Sequence, residues 1–316
     1  MRRPVLFVLA LLLAGAALAA PPTVADLLGC VPATAKVIVA VDAASLREHA
    51  LVQQWLTERH AEWSGVDDEA DAFLRDAGLV PERDVEAMVA AVTPAAGSPS
   101  YVVFFAGRFD PAALGAALVG RGAQSIELTG GAGYLLPNDN GSTRTVAKLA
   151  PTMIVLGDEA SVRGLTIFET GSPIVAEEVA ARRIDPAAPF FFVADVPPRE
   201  GAPVAPDDSL QQVVAASGAV RRVGLQANLG DTLLLKGFAT ADSPENAELL
   251  RDAAKGAIAA MRLQAQETMP ELVDVLRGVD VRLDGTRVTG AVAVPVELIE
   301  KVLREHAHGG TPAPVI

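Results

Sequence analysis

The sequence predicts an α+β fold with two similar halves, each a mainly antiparallel sheet with helices packed on one face. Short β-branched runs alternate with apolar residues at helical spacing, and tight turn sequences join successive strand runs. Hairpins of this kind give antiparallel pairing, and helices must then cover an apolar sheet face. The same order of elements occurs twice. The 316 residues, half of them apolar, suffice for two units of about 150 residues.

The charge balance restricts the class of partner. There are 26 basic and 39 acidic residues, giving a formal net charge of -13 and a pI near 4.8. Such a chain repels phosphate backbones, and only 4% of its residues are aromatic, which leaves few surfaces for stacking on bases. We therefore expect no nucleic-acid partner.

The first residues have the organisation of a secretory signal peptide, predicted as 1–19. An arginine pair precedes an apolar run over 5–13, and Ala17-Leu18-Ala19 supplies an A-x-A cleavage site. A cut one residue later would place Pro21 first. The apolar stretch 5–20 is shorter than the roughly 20 residues that cross a bilayer. We expect an exported protein, periplasmic or extracellular, without a membrane span after cleavage.

Cys30 is the single cysteine, so the chain can form no internal disulfide. Leu27-Leu28-Gly29-Cys30 resembles the lipobox of bacterial lipoproteins. However, Pro21, Pro22 and Asp26 separate it from the apolar run, so we expect no lipid anchor at Cys30. Without a nearby histidine, a buried apolar cysteine is favoured over a nucleophile.

The first half is predicted over 35–176, after an N-terminal leader over 20–34. Its first strand ends at Asp42, and Gly78 ends its second helix. Asp110-Pro111 provides an N-cap followed by proline at the first helical position, and Asn140-Gly141 a hairpin turn. The predicted strands are 36–41, 85–92, 101–109, 124–128, 133–136, 143–149 and 152–156, and the helices are 50–63, 67–77, 110–119 and 159–168.

The second half is predicted over 189–305, after a connector over 177–188, and a disordered tail follows over 306–316. Asp242-Ser243-Pro244-Glu245 begins a long helix that Pro270 interrupts, and Asp284-Gly285 is a strong hairpin signal. Polar residues alternate with apolar ones from Arg222, so we expect one face there to be solvated or covered by polar contacts. The predicted strands are 190–194, 220–227, 232–239, 279–283 and 287–294, and the helices are 208–216, 242–269 and 295–304. The pattern leaves open whether the halves share one continuous sheet.

A family resemblance rests on both ends of this region. The opening Val31-Pro32-Ala33-Thr34-Ala35, with the strand through Asp42 and Leu46, resembles the start of uncharacterised exported bacterial proteins built from duplicated α+β domains. The closing Asp284-Gly285, with Val288, 292–295 and Leu298, is similar to that type as well. These motifs concern packing, so the resemblance implies a fold and carries over no catalytic residue.

No residue is predicted as catalytic, cofactor-binding or metal-binding. His49 and His60 lie about 16 Å apart along a helix, too far to share a metal ion, and His306 and His308 lie in the tail. The acidic group at 67–71 begins a helix, where capping explains it better than calcium binding.

Four further patterns bear on ligand chemistry. Asn138-Asp139-Asn140-Gly141 lacks the outer ligands of an EF-hand loop, and Gly130-Gly131-Ala132-Gly133 lacks the lysine of a phosphate-binding loop. Trp55 and Trp63 fit core packing better than a ligand groove, and Phe190-Phe191-Phe192 fits a strand buried on both sides.

These observations predict an exported bacterial protein that acts as a non-enzymatic binding or interaction module in the cell envelope. Its partner would be a protein or an apolar small molecule in a cleft. One alternative is a secreted hydrolase in which two carboxylates converge, one with a raised pKa. Another is a structural envelope protein held by lipid at Cys30 or by an uncut leader.

Overall fold

The computed structural model describes residues 20–63, 68–95, 98–129, 131–137, 145–165, 171–197 and 218–307. These residues form a twelve-stranded sheet in which each pair of neighbouring strands is antiparallel. The strands are β1 Val37–Asp42, β2 Val85–Thr93, β3 Ser100–Gly107, β4 Gln124–Leu128, β5 Gly131–Leu135, β6 Thr145–Ala150, β7 Met153–Asp158, β8 Phe190–Asp195, β9 Val220–Leu229, β10 Thr232–Ala241, β11 Asp280–Asp284 and β12 Arg287–Pro295.

The described helices precede, separate and follow these strands. They are α1 Val24–Gly29, α2 Ala43–Arg47, α3 Ala50–Trp63, α4 Asp68–Asp76, α5 Pro81–Asp84, α6 Pro111–Gly120, α7 Glu159–Gly164, α8 Pro173–Ala180, α9 Pro244–Thr268, α10 Pro270–Arg277 and α11 Val296–Ala307. Within the described residues, none of these helices combines the length and apolar character needed to cross a bilayer. The predicted α+β class with antiparallel pairing is confirmed.

The halves are joined at the middle of one continuous sheet. Strands β1 and β8 pair there, with Val39 opposite Phe192. Outward from this pair the order is β1-β2-β3-β7-β6 on one side and β8-β9-β10-β12-β11 on the other. The helices α6 and α9 each follow the third strand of their series. The two series match strand for strand, and the hairpin β4–β5 extends only the first.

Apolar side chains pack on both faces of the sheet. On the first face, Ile38, Phe104 and Val193 form a core with α1, α7 and α8. On the opposite face, Ile154 packs with residues of α4 and α6 at one end, and Val288 packs against α9 at the other. Side chains alternate between faces along each strand, so a single strand contributes to both cores.

Several local signals act as the sequence predicts. The Asp110 carboxylate accepts hydrogen bonds from the Ala112 and Ala113 backbone N–H groups, with Pro111 at the first helical position. Ser243 caps α9 by accepting from the Asn246 N–H. Gly285 adopts φ +56° between β11 and β12, a conformation that glycine reaches without strain.

Other boundaries differ from the prediction. The leader 20–34 contains α1, which a capping box of Thr23 and Asp26 begins; Leu27 in that helix is fully buried. The range predicted as a connector contains the last turn of α8, including Glu178. Helix α7 ends at Gly164, because the chain turns there to an extended residue. The limits of the two halves stay predictions.

Other expectations fall outside the described residues. These are the signal peptide 1–19, the helix 208–216, the Asn140-Gly141 turn and the tail beyond Ala307.

Candidate functional site

A row of polar side chains crosses one end of the first sheet face. Asp195 of β8 lies opposite Arg222 of β9, and Thr240 of β10 lies between Arg222 and Arg287. On the other side, the Asp195 N–H donates to the Lys36 carbonyl at 2.7 Å. We call this set the polar row; its members, in order across the sheet, are Ser100, Thr93, Lys36, Asp195, Arg222, Thr240 and Arg287.

The period of the strands places this row beside the core. Lys36 shares its face with Ile38, two residues further along, and Asp195 shares its face with Val193. Ile38 and Val193 are fully buried. Within two residues along a strand, the side chains of the first face therefore change from buried and apolar to charged. This change occurs at the same end of several adjacent strands.

Helix α8 brings Glu178 onto the polar row. Arg287 donates from Nη1 to Oε2 at 2.8 Å and from Nη2 to Oε1 at 3.2 Å. Arg222 donates to Oε1 at 3.0 Å, and Arg183 donates to Oε2 at 3.1 Å. The Glu178 side chain is only 1% exposed. We call Arg183, Arg222 and Arg287 the arginine clamp.

The clamp extends through Arg222 to further carboxylates. The Arg222 Nε donates to Asp195 at 2.6 Å, and the Arg222 Nη1 also donates to Glu177 at 2.6 Å. Lys36 donates to the second oxygen of Asp195 at 3.1 Å. The Arg287 guanidinium lies over the Phe238 ring, 4.5 Å from its centroid, which adds a cation–π contact. The charged groups thus hold one another in fixed positions.

The clamp keeps its carboxylates ionised. Burial alone would raise the pKa of Glu178, but hydrogen bonds from Arg287, Arg222 and Arg183 outweigh it and lower that pKa to about 2. Burial likewise opposes ionisation of Asp195, yet bonds from Arg222 and Lys36 hold its pKa below the usual value. Both groups are anionic at neutral pH, so neither is suited to donate a proton there.

A cleft of about 750 Å³ opens beside the polar row. Its walls carry four cationic side chains, Lys36, Arg221, Arg222 and Arg287, and one carboxylate, Asp195. Thr240 also contributes to the cleft wall; its hydroxyl oxygen is buried and has no hydrogen-bond partner among the described residues. Proline and valine side chains supply apolar wall, from Pro94, Val196 and Pro197.

A smaller cavity of about 240 Å³ adjoins the cleft. Thr34 and Thr93 line both spaces, and their hydroxyl oxygens lie 3.5 Å apart. The other walls of the small cavity come from α7, the end of α1 and the segments beside it, including Cys30 and Ser100.

The residues that the sequence singles out as possible ligands lie away from the cleft or, like Cys30, beside it. The His49 ring accepts a hydrogen bond from the Leu51 N–H and contacts the Gly230 carbonyl at 2.9 Å. Cys30 is half-buried at the end of α1. In the described part of the chain, no three metal-ligating side chains converge.

The aromatic and loop candidates have mixed outcomes. Phe191 is fully buried, whereas Phe190 and Phe192 are half-buried on the opposite face, and Trp55 is also half-buried. The His60 and Trp63 side chains, and residues 67, 130 and 138–141, lie outside what the structure describes.

Sequence reasoning missed the arginine clamp. Glu178 lies 44 residues from Arg222 and 109 from Arg287, and no motif joins them. One sequence feature did point to this region: polar residues alternate with apolar ones from Arg222, which predicts polar contacts on the face of the sheet that carries Arg222. The structure confirms it: Arg222 contacts Glu178, and the buried Gln226 side chain accepts from the Asp185 N–H at 3.0 Å.

Comparisons with known proteins give structural neighbours alone. No family model and no curated protein matches the chain. Crystal form III of TP0453 is similar with a TM-score of 0.49 at 12% identity, covering 87% of this chain and 96% of that one. Crystal form IV gives 0.44 at 12% identity, and form I gives 0.42 at 13%, each covering 87% and 95%. Similarity at this level assigns no role to any residue.

Proposed function

We propose that this is an exported bacterial binding protein that holds an anionic small molecule in the cleft beside the polar row. The observation that carries the proposal is the charge of that cleft. Four cationic side chains and one carboxylate form its walls, in a chain whose formal net charge is -13. A cationic site in an acidic protein attracts an anion locally while the rest of the surface repels it.

Ion pairs surround the cations of the cleft. The arginine clamp, Lys36 and Arg221 supply five cations, and their partners Glu177, Glu178, Asp195 and Asp242 supply four carboxylates. The excess cation is Arg183, which pairs with Glu178 but does not line the cleft; the four cleft cations are matched by the four carboxylates. An anionic group would bind by sharing the hydrogen-bond donors of these cations through charge-assisted hydrogen bonds.

The cleft favours an anion over a wholly apolar ligand. An uncharged apolar molecule would displace water from Lys36 and Arg222 and offer no hydrogen bonds in return, which costs free energy. The apolar wall at Pro94 and Val196 suits the body of a ligand whose polar end faces the cations.

The position of α1 supports release without a lipid anchor. Processing at a lipobox would cut immediately before Cys30 and remove α1, with its buried residues Val24, Leu27 and Leu28. These side chains belong to the core of the first face. We therefore infer cleavage after Ala19, and intact mass spectrometry of the exported protein tests it. A mature chain beginning at lipidated Cys30 would overturn this part.

The hydrolase alternative receives no support from the described carboxylates. It requires two converging carboxylates, one with a raised pKa. Asp195 and Glu178 do converge on Arg222, but the pKa of each is lowered. The cleft thus presents permanent charges, which suit binding.

NMR titration of the mature protein tests the binding proposal. We expect sodium butyrate or inorganic phosphate to shift the backbone amide signals of Lys36, Arg222 and Thr240 to saturation, whereas butylammonium chloride leaves them unchanged. Lys36→Gln should weaken butyrate binding by about three- to tenfold, since Lys36 is half exposed and its contribution is screened.

The matched control is Lys255→Gln, an exposed lysine on α9. It makes the same change in net charge away from the cleft and should leave butyrate affinity unaltered. Equal weakening by both substitutions would show a general charge effect. That result, or the absence of saturating shifts with both anions, would overturn the proposal.

A further inference from the structure

The cleft and the small cavity adjoin along the end of the sheet. Thr34 and Thr93 line both spaces, and their hydroxyl oxygens lie 3.5 Å apart, so a ligand that contacts both spaces passes these two side chains. The polar row continues past this border, because Ser100 lies opposite Thr93 on the next strand and lines the small cavity.

The side chains that line the two spaces differ in charge on either side of Thr34 and Thr93. Beyond Thr34 and Thr93, the small cavity is lined by hydroxyl and small apolar side chains and by no charged one. On the other side, Lys36 and Arg222 face the cleft. An anionic group is therefore favoured on one side alone, and an uncharged group on the other.

Strand spacing sets the length of a molecule that uses both spaces. Lys36, Thr93 and Ser100 lie side by side on three neighbouring chain segments of the sheet. Neighbouring strands are about 4.8 Å apart. The cationic end and the neutral end are thus separated by about 10 Å. A molecule of that length has room for hydrogen bonds to the threonine hydroxyls midway.

We propose that the ligand is an elongated monoanion, with its charged group at Lys36 and Arg222 and an uncharged, hydrogen-bonding end in the cavity beside Cys30. This inference rests on the proposed function and adds the shape and polarity of the ligand. A compact anion would fill only the cleft, leaving the neutral cavity to solvent.

The single cysteine allows a direct test by disulfide exchange. The mature protein is equilibrated with two series of symmetrical disulfides, one built from ω-mercaptocarboxylic acids and the other from the matching amides, in a thiol redox buffer. Intact mass spectrometry measures the fraction of chain carrying each adduct. We expect short acids to show no advantage over their amides, and acids long enough to reach Lys36 from Cys30 to exceed them by about tenfold.

Two substitutions locate the effect. Lys36→Gln should reduce the preference for long acids to about the level of the amides, while Lys255→Gln should leave it unchanged. An acid-to-amide ratio that does not vary with length would overturn the inference, as would a ratio insensitive to Lys36→Gln.

A second anchor covers the case in which Cys30 forms no adduct. Ala160 is exposed and lines the same cavity, so Ala160→Cys in a Cys30→Ser background offers another thiol. If neither anchor forms adducts, the cavity does not admit a ligand and the inference is wrong. Butyrate binding in the NMR titration with a flat tethering profile would retain the proposed function and reject the elongated ligand.

Discussion

Replacing Glu178 by glutamine removes the charge at the centre of the arginine clamp while conserving side-chain volume. The carboxylate accepts four hydrogen bonds from Arg183, Arg222 and Arg287. The amide can accept through one oxygen, whereas its NH₂ group would face guanidinium donors. Arg222 and Arg287 would then keep their charges in a partly buried place without the group that balances them.

Two arguments give the size of the effect. The pKa of Glu178 falls from its ordinary 4.5 to about 2 on folding, which corresponds to about 3 kcal/mol of stability at neutral pH. Breaking a buried ion pair by removing one partner costs about 3–5 kcal/mol. We therefore expect Glu178→Gln to lower the free energy of unfolding by about 3–5 kcal/mol and Tm by roughly 5–8 °C.

Urea unfolding followed by circular dichroism measures this difference. Glu177→Gln is the matched control, because Glu177 is the neighbouring residue, contacts Arg222 and is 61% exposed; we expect a loss below about 1 kcal/mol. A loss below 1 kcal/mol for Glu178→Gln, or equal losses for both variants, would refute the reasoning about the clamp.

The pH dependence follows with a definite sign. Because the folded pKa of Glu178 lies below its unfolded value, its contribution is complete above about pH 4.5 and is lost as the pH falls towards 2. The difference in unfolding free energy between wild type and Glu178→Gln should therefore shrink between pH 5 and pH 2. A constant difference over that window would contradict the lowered pKa.

Further substitutions test the fold by the same urea assay. Leu27→Ala, at a fully buried position of α1, should lower the free energy of unfolding by about 2–5 kcal/mol. Leu263→Ala, at a position 67% exposed, should change it by less than about 0.5 kcal/mol. Equal losses for the two variants would place α1 outside the core. Gly285→Ala should destabilise by about 1–2 kcal/mol, because Gly285 has φ +56°. Gly256→Ala in α9, where an added Cβ meets no atom within 4 Å, should stabilise by about 0.5–1 kcal/mol, and a loss there would contradict the open surroundings.

Much of the local structure was predictable because its causes are local. The hairpin at Asp284-Gly285 and the helix starts at Pro111 and Pro244 depend on residues within one turn of each other. The apolar runs of β1 and β8 predict strands, but they do not predict that Phe191 is fully buried while Phe190 and Phe192 are half-buried. Helix α1 had a readable signal as well, since Thr23 and Asp26 form a capping box.

By itself, the sequence determined the class of fold, most strands and the absence of recognisable catalytic motifs, since propensity, capping and alternation act between near neighbours. Only the tertiary structure decided that the two halves share one sheet through β1 and β8, because strand pairing between distant segments leaves no local pattern. It also decided where the cations meet: Glu178 joins Arg222 and Arg287 through the packing of α8 on the sheet, and electrostatic attraction depends on distance in space, which sequence separation does not record.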